Sequence, residues 1–308
     1  MKNKLAINSL TKKLEKINCL KVEKNIKLKN FTSFKVGGPA DLFLTPKNII
    51  AVQQLMPLVE RSDLPYFILG RGSNLIASDK GYRGIIIYTG KLNNYNIKNN
   101  IITAETGIEL KELAEIALNE SLSGLEFASG IPGSLGGALY MNAGAYNGEM
   151  KDIIKSAVFV NYQGKIIEKE NKDLELNYRT SILQNKNNGW FAVKVIISLK
   201  KDSKKNIKAK MEKLYQKRWN KQPMELPSAG SIFKRPPGHY TGALIEKSGL
   251  KGYQIGGAQV SNKHAGFIVN KENATAQDII NLIEKIKKEV YKNSGVQLEV
   301  EPRFLGEF

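Results

Sequence analysis

Three glycine-rich segments between residues 69 and 146 constrain this chain most. They are Leu69-Gly70-Arg71-Gly72-Ser73-Asn74-Leu75-Ile76, Gly130-Ile131-Pro132-Gly133-Ser134-Leu135-Gly136-Gly137-Ala138, and Met141-Asn142-Ala143-Gly144-Ala145-Tyr146. A strand enters the first and a strand leaves it. The second suits a turn at Pro132-Gly133 followed by a helix start. Glycine lets the backbone approach a ligand closely, and successive N–H groups form an anion nest. Ser73 and Asn74 add side-chain donors, and exposed N–H groups at a helix start favour phosphate. Any one such loop is equally a tight turn in an α+β domain. Two in one domain, each able to face an anion, point to a pyrophosphate-bearing cofactor. Neither G-x-G-x-x-G nor G-x-x-x-x-G-K-[ST] occurs, which argues against a Rossmann dehydrogenase and a P-loop NTPase.

Hydrophobic periodicity places these loops in an α+β chain. Residues 1–25 carry Leu5, Leu10, Leu14 and Ile17 at near-helical spacing and predict a peripheral helix. Strands are expected over 40–44, 66–69, 84–88, 101–105 and 190–199, and helices over 49–60 and 108–121. Residues 156–168 suit a hairpin about Gln163-Gly164. A charged helix over 200–221 serves as connector. Beyond it come strands over 255–260, 266–269 and 296–300 and a long helix over 276–292. Regular βαβ units are too few for a doubly wound sheet. With 308 residues the chain exceeds one ordinary core. A boundary is expected near residue 201, giving domains 1–200 (core about 34–200) and 201–308.

The formal charge of +18 fits a nucleic-acid surface or a biased use of lysine. Forty of the 47 basic residues are lysine, and they are scattered rather than grouped, which favours bias. The seven arginines then gain meaning, because arginine is the residue for planar, two-pronged donors. Arg71, Arg179, Arg235 and Arg303 all lie in distinctive local motifs. Cys19 is the only cysteine, so disulfides and cysteine metal cages within one chain are excluded, and no metal site is expected. No apolar run reaches membrane-spanning length, and the first twenty residues lack the apolar stretch of a signal peptide. A cytoplasmic location is expected.

Seven segments together carry a resemblance. They are SFKVGGPAD (33–41), GRGSNLI (70–76), GLEFASGIPGSLGGALYMNAGAY (124–146), NYRTSIL (177–183), PSAGSIFKRP (227–236), QVSNKHAGFIVN (259–270) and EVEPRFLG (299–306). In this order they resemble the UDP-N-acetylenolpyruvoylglucosamine reductase family, over nearly the whole chain, and most closely its shorter second type. The resemblance implies an FAD-binding domain of the vanillyl-alcohol-oxidase (PCMH) type followed by a smaller α+β substrate-binding domain. It implies non-covalent FAD, NADPH as reductant, and reduction of UDP-N-acetylglucosamine enolpyruvate to UDP-N-acetylmuramate for peptidoglycan synthesis. It assigns the FAD diphosphate to Gly70, Arg71, Gly72, Ser73, Asn74, Gly130, Ile131, Pro132, Gly133, Ser134, Gly137 and Ala138.

The resemblance also implies roles for reacting residues. Hydride reaches the methylene carbon of the enol ether, charge builds on the neighbouring carbon and carboxylate, and one proton is needed. Ser231 would supply that proton, Arg179 would hold the carboxylate, and Glu301 would polarise the enol system. Read without the family, Ser231 is as well a loop serine, Arg179 a surface cation and Glu301 a solvated carboxylate ending the last strand. Lys221 is implied as a diphosphate-binding lysine, with Arg235 and Gln259 as further substrate candidates. A flavin oxidase of the same fold would often hold its flavin on a histidine or cysteine. Here Cys19 is near the amino end, and His239 and His264 lie in the expected substrate domain. A nucleic-acid-binding protein is the third reading, and no recognisable nucleic-acid module supports it.

Overall fold

The computed structural model describes residues 2–185 and 189–308, with side chains from residue 7 onward. Its helices are α1 (Lys2–Leu14), α2 (Ile49–Glu60), α3 (Leu110–Asn119), α4 (Leu135–Met141), α5 (Lys204–Lys221), α6 (Thr241–Lys247) and α7 (Ala276–Ser294). The chain forms two compact units. The first comprises Met1–Lys24, Leu42–Arg71 and Gly84–Gln216; the second comprises Asn25–Asp41, Gly72–Arg83 and Lys217–Phe308. A single cut near residue 201 therefore does not describe them. Two early segments join the carboxy-terminal unit, and the later crossing falls inside α5.

The first unit is built on a five-stranded antiparallel sheet in the order Ile166–Glu170, Ile154–Val160, Phe191–Ser198, Ile101–Glu105, Tyr95–Lys98. The expected hairpin is present: Val160 stands opposite Ile166, and Gly164 takes φ +80° in the turn. One core packs α3 and α4 on this sheet through Leu113, Ala117, Leu135, Leu139, Phe159 and Val195. A second core holds α2 through Val52, Leu55, Met56 and Val59, apolar at helical spacing. Asn48 starts α2 by accepting the Ala51 N–H at 2.9 Å. Strand Tyr66–Leu69 runs parallel to Ile85–Tyr88 and delivers the chain into Gly70.

The second unit has a four-stranded antiparallel sheet ordered Ser228–Ser231, Phe267–Asn270, Ala258–Val260, Gln254–Ile255. Helix α7 buries Ile279, Leu282, Ile283, Ile286 and Val290 at i, i+3, i+4, i+7 spacing in its core. Each such side chain contributes about 1.5–3 kcal/mol. A capping box of Thr275 and Asp278 starts α7, and Asp79 accepts the N–H groups of Ala276 (3.0 Å) and Gln277 (3.2 Å). Gly295, at φ +70°, ends it. Main-chain pairing holds the early segments here: Leu75–Ala77 runs parallel to Arg303–Leu305, and Gly38 donates to the Ser78 carbonyl at 2.8 Å.

Three secondary-structure expectations fail, the first being the strand predicted over 255–260, which is a hairpin of Gln254–Ile255 and Ala258–Val260. The helix predicted over 1–25 stops at Leu14, and Leu20–Lys27 is a strand; Cys19, at φ +62°, makes the reversal between them. The strand predicted over 296–300 reduces to one bridge, Val300 opposite Phe233, and the ladder resumes only at Arg303–Leu305. Pro302 lacks an N–H and interrupts the run, so Glu301 lies between the two pairings rather than at a strand end.

Candidate functional site

In the first unit the two glycine loops meet. A Cβ on Gly70 would stand 2.4 Å from Ser134 Oγ, so glycine lets strand Tyr66–Leu69 end this close to the second loop without displacing that hydroxyl. Ser134 caps α4, its hydroxyl accepting the Gly137 N–H at 3.4 Å. The start of α4 itself is occupied: Leu135 donates to the Ile108 carbonyl (2.9 Å), Gly136 to Thr106 (2.8 Å) and Ala138 to Ser134 (2.9 Å). The expectation of free N–H groups on that helix is therefore corrected. The groups with no main-chain acceptor among the described residues are those of Gly70, Arg71, Gly130, Gly133 and Ser134, in the loops before it. Gly133, at φ +154°, turns the backbone there. Ile131 donates to the Ala128 carbonyl at 2.9 Å, and Pro132 has no N–H to give. Arg71 pairs with Glu109 at 2.9 Å.

This arrangement fits an FAD diphosphate. Several backbone donors without a main-chain acceptor lie in the two loops that approach each other at Gly70 and Ser134, and an anion is the ligand such donors select. Gly137 leaves room as well, since a Cβ there would meet only Ser134 Oγ, at 3.6 Å. Ala138 is buried in the core with its N–H inside the helix, so it offers no main-chain donor to an anion.

Arg179 lies in the same unit, in a tight turn. Asn177 and Thr180 exchange main-chain hydrogen bonds (3.3 and 3.2 Å), and Arg179 takes φ +57°. Its guanidinium lies over the Tyr178 ring at 5.3 Å, and Gln184 Nε2 donates to its carbonyl at 2.9 Å. Asn142, buried and itself at φ +39°, ties this turn to the end of α4. Its amide donates to Asn177 O (3.2 Å) and to Glu149 Oε2 (2.9 Å), and its Oδ1 accepts the Lys151 N–H (2.9 Å). Hydrogen bonding from Lys151, with help from Asn142 and the nearby charge of Arg179, holds the Glu149 carboxyl below its usual range against a smaller effect of burial.

The second unit carries the remaining candidates. Ser231 ends strand Ser228–Ser231, exposed, after a bulge. Ser228 faces Val269 and Ser231 faces Phe267, so one extra residue sits on this strand, and Gly230 absorbs it at φ +76°. Nothing lies within 4 Å of where a Gly230 Cβ would be. Glu301 is joined to the same strand region: its N–H donates to the Ile232 carbonyl at 3.0 Å, one residue from Ser231. Lys234 extends this pairing through its N–H to Glu299 O (2.8 Å) and its ammonium to the Glu299 carboxylate.

The portion of the first glycine loop in this unit supports the same region. Gly72 takes φ +59° against the Phe31 carbonyl, where a Cβ would come within 2.1 Å. Asn74 Nδ2 donates to Glu301 O at 3.4 Å, and Arg303 N–H to Asn74 O at 3.0 Å. Gly72, Ser73 and Asn74 keep N–H groups without a main-chain acceptor among the described residues. Ser33 escaped sequence reasoning. Its hydroxyl donates to the Ser228 carbonyl at 2.6 Å and its N–H to Gly72 O at 3.1 Å, tying the glycine loop to the strand that ends in Ser231. Serine-to-carbonyl bonds leave no partner pattern in a sequence.

Three weaker candidates receive different surroundings. Lys221 ends α5, close enough for its charge to act on His264. Arg235 stacks over Tyr240 at 4.1 Å and donates from Nε to His239 O at 3.2 Å. Gln259 is buried, its amide donating to Gly252 O (3.1 Å) and Gln254 Oε1 (3.3 Å), so it holds a hairpin of the protein. Among the described residues no helix is long and apolar enough to cross a membrane.

Comparison with known proteins bears on both units. Residues 40–169 match the family described as FAD binding domain, and residues 222–305 match UDP-N-acetylenolpyruvoylglucosamine reductase, C-terminal domain. The UDP-N-acetylenolpyruvoylglucosamine reductase of Clostridium novyi is 47% identical over 97% of each chain. That of Alkaliphilus oremlandii is 49% identical over 91% of this chain and 92% of its own. The crystal structure of the reductase (MurB) from Thermus caldophilus superposes with a TM-score of 0.81 at 33% identity, covering 93% of this chain and 99% of that one. With an anion cradle in one unit, a serine on a bulged strand in the other and likeness along nearly the full length, the chain belongs to the UDP-N-acetylenolpyruvoylglucosamine reductase family of FAD-dependent oxidoreductases.

Proposed function

We propose that this protein reduces UDP-N-acetylglucosamine enolpyruvate to UDP-N-acetylmuramate with Ser231 as proton donor, Arg179 on the substrate carboxylate and Glu301 as the acidic partner. The observation that carries this reading is the Gly230 bulge, which ends a strand on an exposed hydroxyl and is pinned beside Glu301 through Ile232. FAD, when bound, supplies the hydride, with NADPH as its reductant. Gly70, Arg71, Gly130, Gly133 and Ser134 would hold its diphosphate by main-chain donors.

The chain's own residues then have defined tasks. Charge grows on the carboxylate side of the enol ether, and a guanidinium fork at Arg179 meets two oxygens at once. The Arg179 carbonyl and the Asn177–Thr180 turn are held by Gln184 and Asn142, so the fork approaches from a fixed base. Ser231 delivers its hydroxyl proton to the carbon bearing the carboxylate. A serine is a weak acid, so a cation or water must supply the driving force. Glu301 lies beside it on a main chain held from both sides. Lys221 and Arg235 are cations suited to a diphosphate. A cytoplasmic location fits a nucleotide-linked substrate.

The test is Ser231→Ala, followed through both half-reactions. Bleaching of the flavin by NADPH should survive, while turnover of the enolpyruvyl substrate should fall by about 10²–10⁴, the span of a lost general acid. Equal loss in both half-reactions would make Ser231 structural.

A further inference from the structure

We propose that His264 is a positioning residue for Ser231, acting through the peptide of Gly266. The inference rests on Ser231 being the proton donor. His264 Nδ1 accepts the Gly266 N–H at 3.0 Å, and the Gly266 carbonyl accepts the Ile232 N–H at 3.0 Å. The next residue, Phe267, faces Ser231 in the ladder. One imidazole nitrogen thus fixes the strand edge against which the bulged serine is set.

The ring is wedged as well as bonded. A Cβ on Gly266 would stand 2.9 Å from its Cε1, and one on Gly242 would stand 3.3 Å away. The ring also packs edge-on to Phe267, centroids 5.1 Å apart. Its loop closes on itself: Ser261 Oγ accepts the N–H groups of Lys263 (3.1 Å) and His264 (3.2 Å), and Phe267 N–H donates to His264 O (3.0 Å). This geometry needs an acceptor at Nδ1, so the ring is neutral with its proton on Nε2.

Protonation would turn that acceptor into a donor facing another donor. Burial opposes it most, and the charges of Lys221 at the end of α5 and Lys251 after α6 oppose it too. A hydrogen bond with its own main chain and the carboxylate of Glu246 on α6 favour it, and the balance lies below the usual histidine value. The Gly266 contact is therefore intact at neutral pH and lost on acidification.

Amide NMR of the FAD-loaded protein and steady-state kinetics test this together. On acidification from about pH 7.5 the Gly266 and Ile232 amide signals should titrate in step, with a midpoint below the ordinary histidine value. His264→Asn puts an oxygen near the place of Nδ1 and cannot titrate, so both signals should become flat and the acid limb of kcat should shift. His264→Leu removes the acceptor; kcat at neutral pH should fall about tenfold with KM little changed, the scale expected when a buried N–H is left bare. His264→Asn should recover most of that loss. A Gly266 amide indifferent to pH in the unaltered protein, or His264→Asn as impaired as His264→Leu, would overturn the proposal. Ser231→Ala in the same assays separates the two ideas. Normal turnover there defeats the proton-donor role, while the amide titration still judges the His264 link.

Discussion

Gly70→Ala offers the sharpest test of the cradle, because its cost can be traced to one atom. The Gly70 backbone is outside the left-handed region, so alanine is not strained there by conformation. The new methyl would stand 2.4 Å from Ser134 Oγ and 3.6 Å from Ser134 Cβ. Relief requires the hydroxyl to move by about 1 Å, which ends its cap on the Gly137 N–H. An N-cap lost in this way costs about 1 kcal/mol. In a Ser134→Ala background the clashing atom is gone and the nearest one is at ordinary contact distance. There Gly70→Ala should be neutral, or stabilising by about 0.4–1 kcal/mol through the unfolded chain. Urea midpoints of the two single variants, the double variant and the parent would close the cycle, with an expected coupling of about 1–2 kcal/mol. Titration with FAD, followed by flavin fluorescence, should show the single Gly70→Ala variant bound about tenfold more weakly, a loss of about 1.4 kcal/mol. If Gly70→Ala costs the same in both backgrounds, the loops do not meet as described and the cradle argument fails.

Other consequences follow from single residues. Arg179→Lys replaces a fork by a point charge and should lower kcat/KM by about tenfold or more while leaving the urea midpoint in place; near-normal turnover would remove Arg179 from the carboxylate. Gly230→Ala meets no neighbour but must adopt φ +76°, so about 1–2 kcal/mol of stability and a larger share of turnover should be lost, by urea and by kinetics. The buried carboxylate of Glu126 is pushed up by burial, yet hydrogen bonds from Ser123 Oγ and Gly124 N–H and the charge of Lys210 bring its net pKa below the usual range. With the folded pKa lowered, the unfolded chain binds the proton more tightly. Glu126 thus adds stability above about pH 4.5, lost as pH falls through the folded value. Urea midpoints between pH 3 and 7 should show this acid slope reduced in Glu126→Gln, and an unchanged slope would count against it.

Much of the architecture is legible because local rules agree with the final packing. Helices α2 and α7 combine apolar spacing with starting caps, and the hairpin at Gly164 combines alternation with a turn residue. Reading failed where a non-local partner decided. Residues 72–83 look like a continuation of the first domain, yet Leu75–Ala77 finds its partner in Arg303–Leu305, more than two hundred residues on. The run at 296–300 has strand composition, but Pro302 withholds a ladder donor and leaves a single bridge.

The site was legible in an uneven way for a related reason. Gly70 announces a close approach through its residue type, and the structure supplies the atom approached, Ser134 Oγ. The helix start after Gly133 announced free donors, but Ile108 and Thr106 supply carbonyls from a segment that composition could not connect to it. Ser231 and Glu301 stand out only by family likeness, since each has an ordinary residue type in an ordinary neighbourhood, whereas Arg179 also stands out as one of few arginines in a lysine-rich chain. The residues that fix their surroundings, Ser33, Asn142 and His264, do so by bonding to main-chain carbonyls and N–H groups, which every residue carries. A sequence can mark where a backbone must be unusual, as at Gly70 and Gly230. It cannot mark which distant peptide a polar side chain will hold, because no residue type at the far end is required.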